Sequence, residues 1–302
     1  MKKINLILTT ILLSGVLNAQ YSKEKQTEYI KNLASDEFEG RGFGSKGGKK
    51  AADYIAAVFK ENQLKPCVGD SYLIPFELND KTGYNVCGMK PGNSQDIVAF
   101  GAHFDHVGLS ENTADKVFNG ADDNASGTSA VMALSDYFKD QNSNSTLMFL
   151  AFDAEEVGLI GSGKLLENTD FEYYIPNINV MYNLEMIGTV SEFGTNKVYM
   201  TGSDRSNLIQ LMNENASSDF KVEDDPYLKH NLFMRSDNVH FFKKGIVSHS
   251  LSSVDMSKAK HYHQLHDELS VIDFENLFMI TEGIGNTVNK MIEKNNKPAY
   301  NK

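Results

Sequence analysis

Two apolar segments constrain the fold of this chain most strongly. Residues 97–102 (Ile-Val-Ala-Phe-Gly-Ala) and 146–152 (Thr-Leu-Met-Phe-Leu-Ala-Phe) have the length of β-strands and carry no charge. Strands that are apolar on both faces are typical of parallel sheets covered by helices on both sides. Residues 125–138, which lie between them, are predicted to be helical. The chain therefore alternates strand and helix, which favours an α/β fold.

The same alternation continues along the chain. Further strands are predicted at 72–78, 84–89, 178–186, 197–201 and 246–251, and further helices at 22–33, 49–64, 155–166, 205–216, 237–244 and 274–293. Residues 79–83 are rich in turn-forming types and predict an antiparallel hairpin at one edge of the sheet. With no internal repeat or long linker, residues 20–302 are predicted to form a single three-layer α/β/α domain with a mixed, mostly parallel central sheet.

Residues 1–19 have the pattern of a secretory signal peptide. Lys2 and Lys3 are followed by a mostly apolar stretch at 4–17, and Ala19 is a small residue suited to cleavage. The apolar stretch is shorter than the roughly 20 residues that a transmembrane helix needs. We therefore expect export to the periplasm or the extracellular space, without a membrane anchor after cleavage.

The net charge and the cysteine content indicate which binding partners and which metal ligands are not expected. The formal net charge of −11 argues against nucleic acid and anionic membranes. Cys67 and Cys87 form an even pair, which in an exported protein is consistent either with a disulfide or with two buried thiols. No CxxC motif is present in the sequence, so zinc binding through thiolates is not expected.

Imidazoles and carboxylates cluster after the predicted strands. The eight histidines lie in two parts of the chain, at 103 and 106 and then between 230 and 266. Carboxylates follow the strands or open helices at Asp123, Glu155, Glu156 and Glu185. Taken singly, such carboxylates are commonly helix caps or salt-bridge partners. Together with histidines at the ends of strands they predict a metal site.

Four motifs, in this order, resemble those of the co-catalytic di-zinc exopeptidases. They lie at 101–106 (Gly-Ala-His-Phe-Asp-His), 120–127 (Gly-Ala-Asp-Asp-Asn-Ala-Ser-Gly), 154–159 (Ala-Glu-Glu-Val-Gly-Leu) and 262–267 (Tyr-His-Gln-Leu-His-Asp). This family includes bacterial secreted leucyl-type aminopeptidases, glutamate carboxypeptidase and, as relatives, glutaminyl cyclases. The resemblance spans nearly the whole chain after residue 19, including residues 35–41 and 235–238.

The resemblance implies a centre with two zinc ions. Asp123 would bridge them, His103 and Glu185 would complete one site, and Glu156 and His263 would complete the other. Glu155 would be the general base that takes a proton from water and passes it to the leaving amine. Asp105 resembles the acid that orients a ligating histidine. His106 is not expected to be a ligand.

One position departs from the family pattern. Glu185 stands where members of the family most often have aspartate, and its additional methylene changes the reach of the carboxylate. Two interpretations remain open at this stage: Glu185 ligates one of two metals, or it is no ligand and the site holds one metal. Tyr227, Arg235 and Tyr262 are candidates for polarising the substrate carbonyl.

The function implied by the resemblance is a secreted aminopeptidase that acts on peptides. The alternatives are a carboxypeptidase or dipeptidase of the same fold, a glutaminyl cyclase, and a non-catalytic binding module. The presence of all five implied ligands and of Glu155 favours an active hydrolase. A serine hydrolase is not supported, because the sequence has no Gly-x-Ser-x-Gly motif.

Overall fold

A computed structural model describes residues 22–110 and 115–301 of the 302-residue chain. The predicted signal peptide, residues 1–19, lies outside the described residues. Within them, no helix combines the length and the apolar character that crossing a bilayer requires.

The described chain contains eleven strands and seven α-helices. The strands are β1 (Lys65–Pro66), β2 (Leu73–Leu78), β3 (Lys81–Lys90), β4 (Ile97–His103), β5 (Gly108–Leu109), β6 (Val117–Phe118), β7 (Thr146–Phe152), β8 (Ile178–Leu184), β9 (Lys197–Met200), β10 (Lys221–Asp224) and β11 (Val247–Ser252). The helices are α1 (Lys23–Leu33), α2 (Lys46–Glu61), α3 (Gly127–Phe138), α4 (Ile160–Glu167), α5 (Leu208–Asn215), α6 (Asn238–Lys243) and α7 (Phe274–Glu293).

Nine strands form one mixed sheet in the order β1-β3-β7-β4-β8-β11-β9-β10, with β2 also paired to β3. The four central strands β7, β4, β8 and β11 are parallel to one another, and the strands that flank them, β3 and β9, are antiparallel to β7 and β11. The hairpin of β2 and β3 is antiparallel and lies at one side of the sheet. Strands β5 and β6 form a separate pair. The predicted α/β fold with a mixed sheet and an antiparallel edge hairpin is confirmed.

Apolar side chains on both faces of the central strands explain why helices cover both sides. All seven residues of β4 are buried, and alternate residues belong to two different core clusters. On one face, Phe100 stacks against Phe138 of α3, Phe149 of β7 and Tyr182 of β8, with ring centroids 5.8, 5.7 and 5.6 Å away. This aromatic cluster packs the end of α3 against the middle of the sheet.

Cys67 and Cys87 form a disulfide that joins the segment after β1 to β3, across a sequence separation of 20 residues. Both residues also belong to the core cluster on one face of the sheet. Of the two alternatives left open by the sequence, the structure therefore has the bridge.

The carboxyl ends of three adjacent parallel strands meet at one edge of the sheet. Strand β4 ends at His103, β7 ends shortly before Glu155, and β8 ends immediately before Glu185. Helix α4 begins later than predicted, because the chain first makes a tight turn in which the Leu159 amide donates to the Glu155 carbonyl at 2.8 Å. The candidate side chains are thus delivered by strand ends and turns, where ligands of open α/β sheets bind.

Candidate metal centre

His103 and Glu185 face each other at the ends of β4 and β8. His103 Nε2 lies 3.2 Å from Glu185 Oε1, and His103 Nδ1 lies 3.1 Å from the backbone carbonyl of Asp105. That carbonyl fixes Nδ1 as the protonated nitrogen and leaves Nε2 free to act as a ligand. The backbone of Asp105 thus orients His103, while its carboxylate is farther away, at 3.7 Å from Nδ1.

Asp123 lies between the two histidines that the sequence assigned to different metals. Its Oδ1 is 3.5 Å from His103 Nε2, and its Oδ2 is 3.2 Å from His263 Nε2. The segment that carries Asp123 precedes α3 and includes a cis peptide bond between Asp123 and Asn124. The carboxylate of Asp267 accepts hydrogen bonds from the Asp122 and Asp123 amides at 2.9 and 3.0 Å and so fixes the backbone of this segment.

Glu156 and His263 form the other half of the cluster. His263 Nε2 lies 2.9 Å from Glu156 Oε2. His106, which was not expected to be a ligand, lies in the same group, with its Nδ1 2.9 Å from Glu156 Oε1. The ring of His106 packs directly against Gly120, where a Cβ atom would lie only 2.5 Å from the imidazole. Glycine at this position is therefore needed to bring His106 so close.

The carboxylate of Asp105 positions the two adjacent glutamates. It accepts hydrogen bonds from the backbone amides of Glu155 and Glu156 at 3.0 and 3.2 Å. The two side chains then point to different partners, because Glu156 contacts the histidines and Glu155 groups with His103 and Glu185. The two carboxylates therefore lie in different groups of possible ligands.

The electrostatics of the centre separate the two glutamates. Burial raises the pKa of Glu155 well above its usual value, and the carboxylates of Glu185 and Asp237 add to this effect while His103 opposes it. The pKa of Glu156 is lowered although burial opposes the shift, because His106 and His263 hydrogen-bond to its carboxylate. A proton is therefore held more readily at Glu155, as a proton-transferring group requires.

Arg41 forms hydrogen bonds to the backbone of several segments next to the candidate metal centre. Its fully buried guanidinium donates hydrogen bonds to the carbonyl oxygens of Leu33, Phe104, Asn119 and Gly120, at 2.6 to 2.9 Å. Two of these carbonyls lie just before the Asp123 segment, and a third lies just after His103. Arg41 ends the short 3-10 helix Asp36–Arg41, and its cation fixes the positions of the neighbouring site residues.

The residues present fit zinc. His106 Nε2 is buried and has no hydrogen-bond partner within the described part of the chain, and His263 Nε2 faces carboxylate oxygens of Asp123 and Glu156 at 3.2 and 2.9 Å. Neutral imidazole and carboxylate are the ligand types that zinc takes in hydrolytic sites. Ligand atoms lie within 4.8 Å of one another in two groups, one with His103, Glu155 and Glu185 and one with His106, Asp123, Glu156 and His263.

The centre lies at the base of a cleft of about 540 Å³, called the inner cleft below. The residues that line it include Arg235, Tyr262 and Met186. Three buried serines also line it: Ser236, Ser250 and Ser252. Of the three carbonyl-polarising candidates, Arg235 and Tyr262 line this cleft. Tyr227 does not, because its hydroxyl is bonded to Asp255 Oδ1 at 3.0 Å.

Ser236 and Asn183 hold the carboxylate of Glu185, a role that the sequence did not reveal. The Ser236 hydroxyl donates to Glu185 Oε2 at 2.6 Å and accepts from Asn183 Nδ2 at 2.7 Å. The position of Ser236 inside the 235–238 segment of the resemblance was a signal that the segment lies near the pocket. Its partner could not be read from the sequence, because the contact spans 51 residues.

A partly buried contact between His261 and Asp122 fixes the loop that carries His263. His261 Nε2 lies 2.9 Å from Asp122 Oδ2, and Asp122 Oδ1 accepts from the Gly188 amide at 2.8 Å. His261 thus contacts a neighbour of Asp123 and is not itself in the ligand groups.

The fold is shared with solved structures that include a zinc aminopeptidase. The structure superimposes on BSAP, a zinc aminopeptidase from Bacillus subtilis, with a TM-score of 0.71 at 18% identity, covering 91% of this chain and 96% of that one. It is also similar to a glutaminyl cyclase from Bacteroides thetaiotaomicron, with a TM-score of 0.69 at 19% identity, covering 90% of this chain and 98% of that one. At these identities, the similarity shows a shared fold.

Residues 85–288 match the model of peptidase family M28, and the chain belongs to this family. Aminopeptidase YwaD of Bacillus subtilis is 30% identical over 225 residues, which cover 72% of this chain and 47% of the relative. The chain thus spans about half the length of the curated relatives it matches. The family resemblance predicted from the four motifs is confirmed.

Proposed function

We propose that the chain is an exported aminopeptidase that binds two zinc ions and releases N-terminal residues from peptides. The observation that carries this proposal is the position of Asp123, whose two carboxylate oxygens each face a different histidine, His103 and His263. A single carboxylate shared by two groups of ligands is suited to bridging a pair of metals.

Three further observations support the proposal. Relatives in the family are described as aminopeptidases, and a fold neighbour is described as a zinc aminopeptidase. The disulfide between Cys67 and Cys87 is of a kind that persists in oxidising compartments and is consistent with export. The carboxylate-rich cleft is suited to the cationic amino terminus of a peptide.

Zinc bound by His103, Glu185, Asp123, Glu156 and His263 would acidify water and polarise the scissile carbonyl. Glu155 accepts the proton that water gives up as it attacks the carbonyl carbon, and then donates this proton to the leaving amine. The raised pKa of Glu155 favours its protonated form and so favours the donating step. Asp105 keeps the carboxylate of Glu155 in the cleft by holding its backbone amide.

Arg235 and Tyr262 supply the electrostatic support for the carbonyl oxygen. Both side chains line the inner cleft beside the ligand groups, and the ring of Tyr262 stacks on His263 with centroids 4.0 Å apart. A cationic or hydroxyl donor next to a developing oxyanion contributes a few kcal/mol to transition-state stabilisation, on the order of 3 kcal/mol for one well-placed donor.

Two measurements test the proposal: the zinc content of the chain, and whether its substrates need a free amino terminus or a free carboxyl terminus. The full-length chain is expressed with export and loaded with zinc, and its metal content is measured by mass spectrometry. Release of product is then compared for leucine p-nitroanilide, the N-acetylated analogue, an N-blocked dipeptide with a free carboxyl terminus, and a glutaminyl amide. We expect about two zinc ions per chain and activity that requires a free amino group.

Each alternative gives a different result in the same experiment. Hydrolysis of the N-blocked dipeptide from its carboxyl end would favour a carboxypeptidase. Cyclisation of the glutaminyl substrate without hydrolysis would favour a glutaminyl cyclase, the activity named for one fold neighbour. Less than one equivalent of zinc and no turnover of any substrate would favour a binding module.

A further inference from the structure

Three exposed apolar side chains border a second cleft next to the metal centre. Val107, Leu109 and Val157 are 44%, 55% and 52% exposed, although most large apolar residues in the described chain are buried. All three line a cleft of about 1040 Å³, called the outer cleft below. Clustered apolar exposure of this kind marks a binding surface more often than a single exposed residue does.

The backbone holds these side chains outward. Val107 and Leu109 flank Gly108, whose φ of +87° turns the chain between them. Gly108 is buried against Gly42, where a Cβ atom would lie 3.2 Å from the Gly108 Cα. The two loops meet backbone to backbone at Gly108, and the side chains on either side of it, Val107 and Leu109, are exposed at the surface.

Val157 belongs to the same turn as the proposed proton-transferring residue. The amides of Gly158 and Leu159 both donate to the carbonyl of Glu155, at 2.9 and 2.8 Å, which fixes the turn between them. Val157 immediately follows Glu156 in this turn. The apolar wall of the outer cleft is therefore fixed relative to the metal centre.

The two clefts meet at the centre. Glu156 and His263 line both of them, so a ligand passing the centre extends from one cleft into the other. The inner cleft is the smaller one and ends at the buried residues Ser236, Ser250 and Ser252. With the N-terminal residue in this smaller cleft, as the proposed function requires, the remainder of a peptide extends into the outer cleft.

We infer that the outer cleft binds an apolar side chain at P1′, the residue that follows the scissile bond. This inference rests on the proposed aminopeptidase function, which places the N-terminal residue in the inner cleft. Val107, Leu109 and Val157 form the apolar contact. Lys81 and Glu39, of opposite charge, lie at the rim of the same cleft, so the rim does not favour one sign of charge. The substrates are peptides with an apolar second residue.

Dipeptide amides that differ at the second residue test this assignment. The zinc-loaded, full-length chain is assayed with Leu-Leu-NH₂ and Leu-Gly-NH₂, and kcat/KM is measured for each. We expect a preference of about tenfold for leucine at the second position, which is the low end of the discrimination that apolar pockets achieve. In the Leu109→Ser variant the preference falls towards unity. Thermal unfolding of the variant verifies that it is folded.

Leu228→Ser is the matched control, because Leu228 is 73% exposed and lines neither cleft. It should keep the wild-type preference. Equal kcat/KM for the two amides, or an unchanged preference in Leu109→Ser, would overturn the P1′ assignment and leave the aminopeptidase proposal intact. Release of leucine from neither amide would overturn both.

Discussion

Ser236 donates a hydrogen bond of 2.6 Å to Glu185 Oε2, while the other oxygen of Glu185 lies 3.2 Å from His103 Nε2. The glutamate carries one methylene more than the aspartate typical of the family, and its carboxylate must be held in place to reach the ligand position. Ser236, itself held by Asn183, fixes one oxygen and directs the other towards His103. This geometry places the carboxylate of Glu185 beside His103, where the proposed ligation requires it.

Ser236→Ala should weaken one zinc site selectively. Loss of a residue that holds a metal ligand typically lowers metal affinity by about 10- to 100-fold. Titration with a competing chelator should show one zinc ion released more easily and the other unaffected. Ser248→Ala is the control, because the buried Ser248 hydroxyl has no hydrogen-bond partner among the described residues. Two zinc ions bound as in wild type would contradict the role of Ser236.

Arg41→Met should destabilise the whole chain. The change removes the Arg41 donor from four carbonyl oxygens, of which that of Gly120 keeps another donor, the Ala125 amide at 3.2 Å. We expect a loss of about 3 kcal/mol or more in the free energy of unfolding. Urea denaturation measures this loss. Lys50→Met, which removes an exposed partner of Glu37, should cost less than about 1 kcal/mol. A similar cost for both variants would show that the buried hydrogen bonds of Arg41 are not stabilising.

Removal of the disulfide should lower stability without changing catalysis. Closing a loop of 20 residues stabilises a protein by about 3 kcal/mol, mainly through the unfolded state. The double variant Cys67→Ser and Cys87→Ser should therefore unfold at a lower denaturant concentration, as should the reduced wild type. Its kcat/KM should match that of wild type, since neither cysteine lines the inner cleft. No shift of the wild-type midpoint on reduction would contradict the prediction.

His249 should make the stability of the protein fall in acid. Burial lowers its pKa to about 4, from a usual value of 6.5. Its Nδ1–H donates to the Thr201 carbonyl at 2.8 Å, and its Nε2 lies 2.8 Å from Ser206 Oγ. Between pH 6.5 and pH 4 the unfolded chain binds a proton that the native chain does not, so this contribution to stability is present above pH 6.5 and declines by about 3 kcal/mol as pH falls to 4.

The variant His249→Gln isolates this contribution. Its free energy of unfolding, measured by urea denaturation from pH 7 to pH 4, should fall less steeply than that of wild type. His230→Gln changes an exposed histidine and should follow the wild-type curve. Parallel curves for wild type and His249→Gln would refute the assignment.

Continuously apolar segments predicted the central strands, whereas the short strands depend on the strands with which they pair. Strands β4 and β7 were predicted within one residue because both are continuously apolar. The two-residue strands β1, β5 and β6 were missed, since such short pieces are strands only through their neighbours. Helix α4 starts late because a turn that positions Glu155 and Glu156 replaces its predicted first residues.

The sequence predicted those residues of the candidate site that the family resemblance covers. The five proposed ligands and Glu155 lie together at one edge of the sheet, although Glu185 lies outside the four motifs and was assigned only through the family resemblance. His106 was set aside, although its imidazole reaches Glu156, because adjacent motif residues do not reveal which way a ring points. Ser236 and Asp267 act through contacts distant in sequence, which no local pattern encodes.

The central claim is that Glu155 transfers the proton in a zinc-dependent hydrolysis, and turnover of leucine p-nitroanilide by zinc-loaded Glu155→Gln tests it most directly. We expect kcat to fall by about 10²- to 10⁴-fold while the zinc content stays that of wild type. Glu167→Gln, at an exposed pair with Lys164, should keep wild-type turnover. Full activity of Glu155→Gln with its zinc retained would contradict the account.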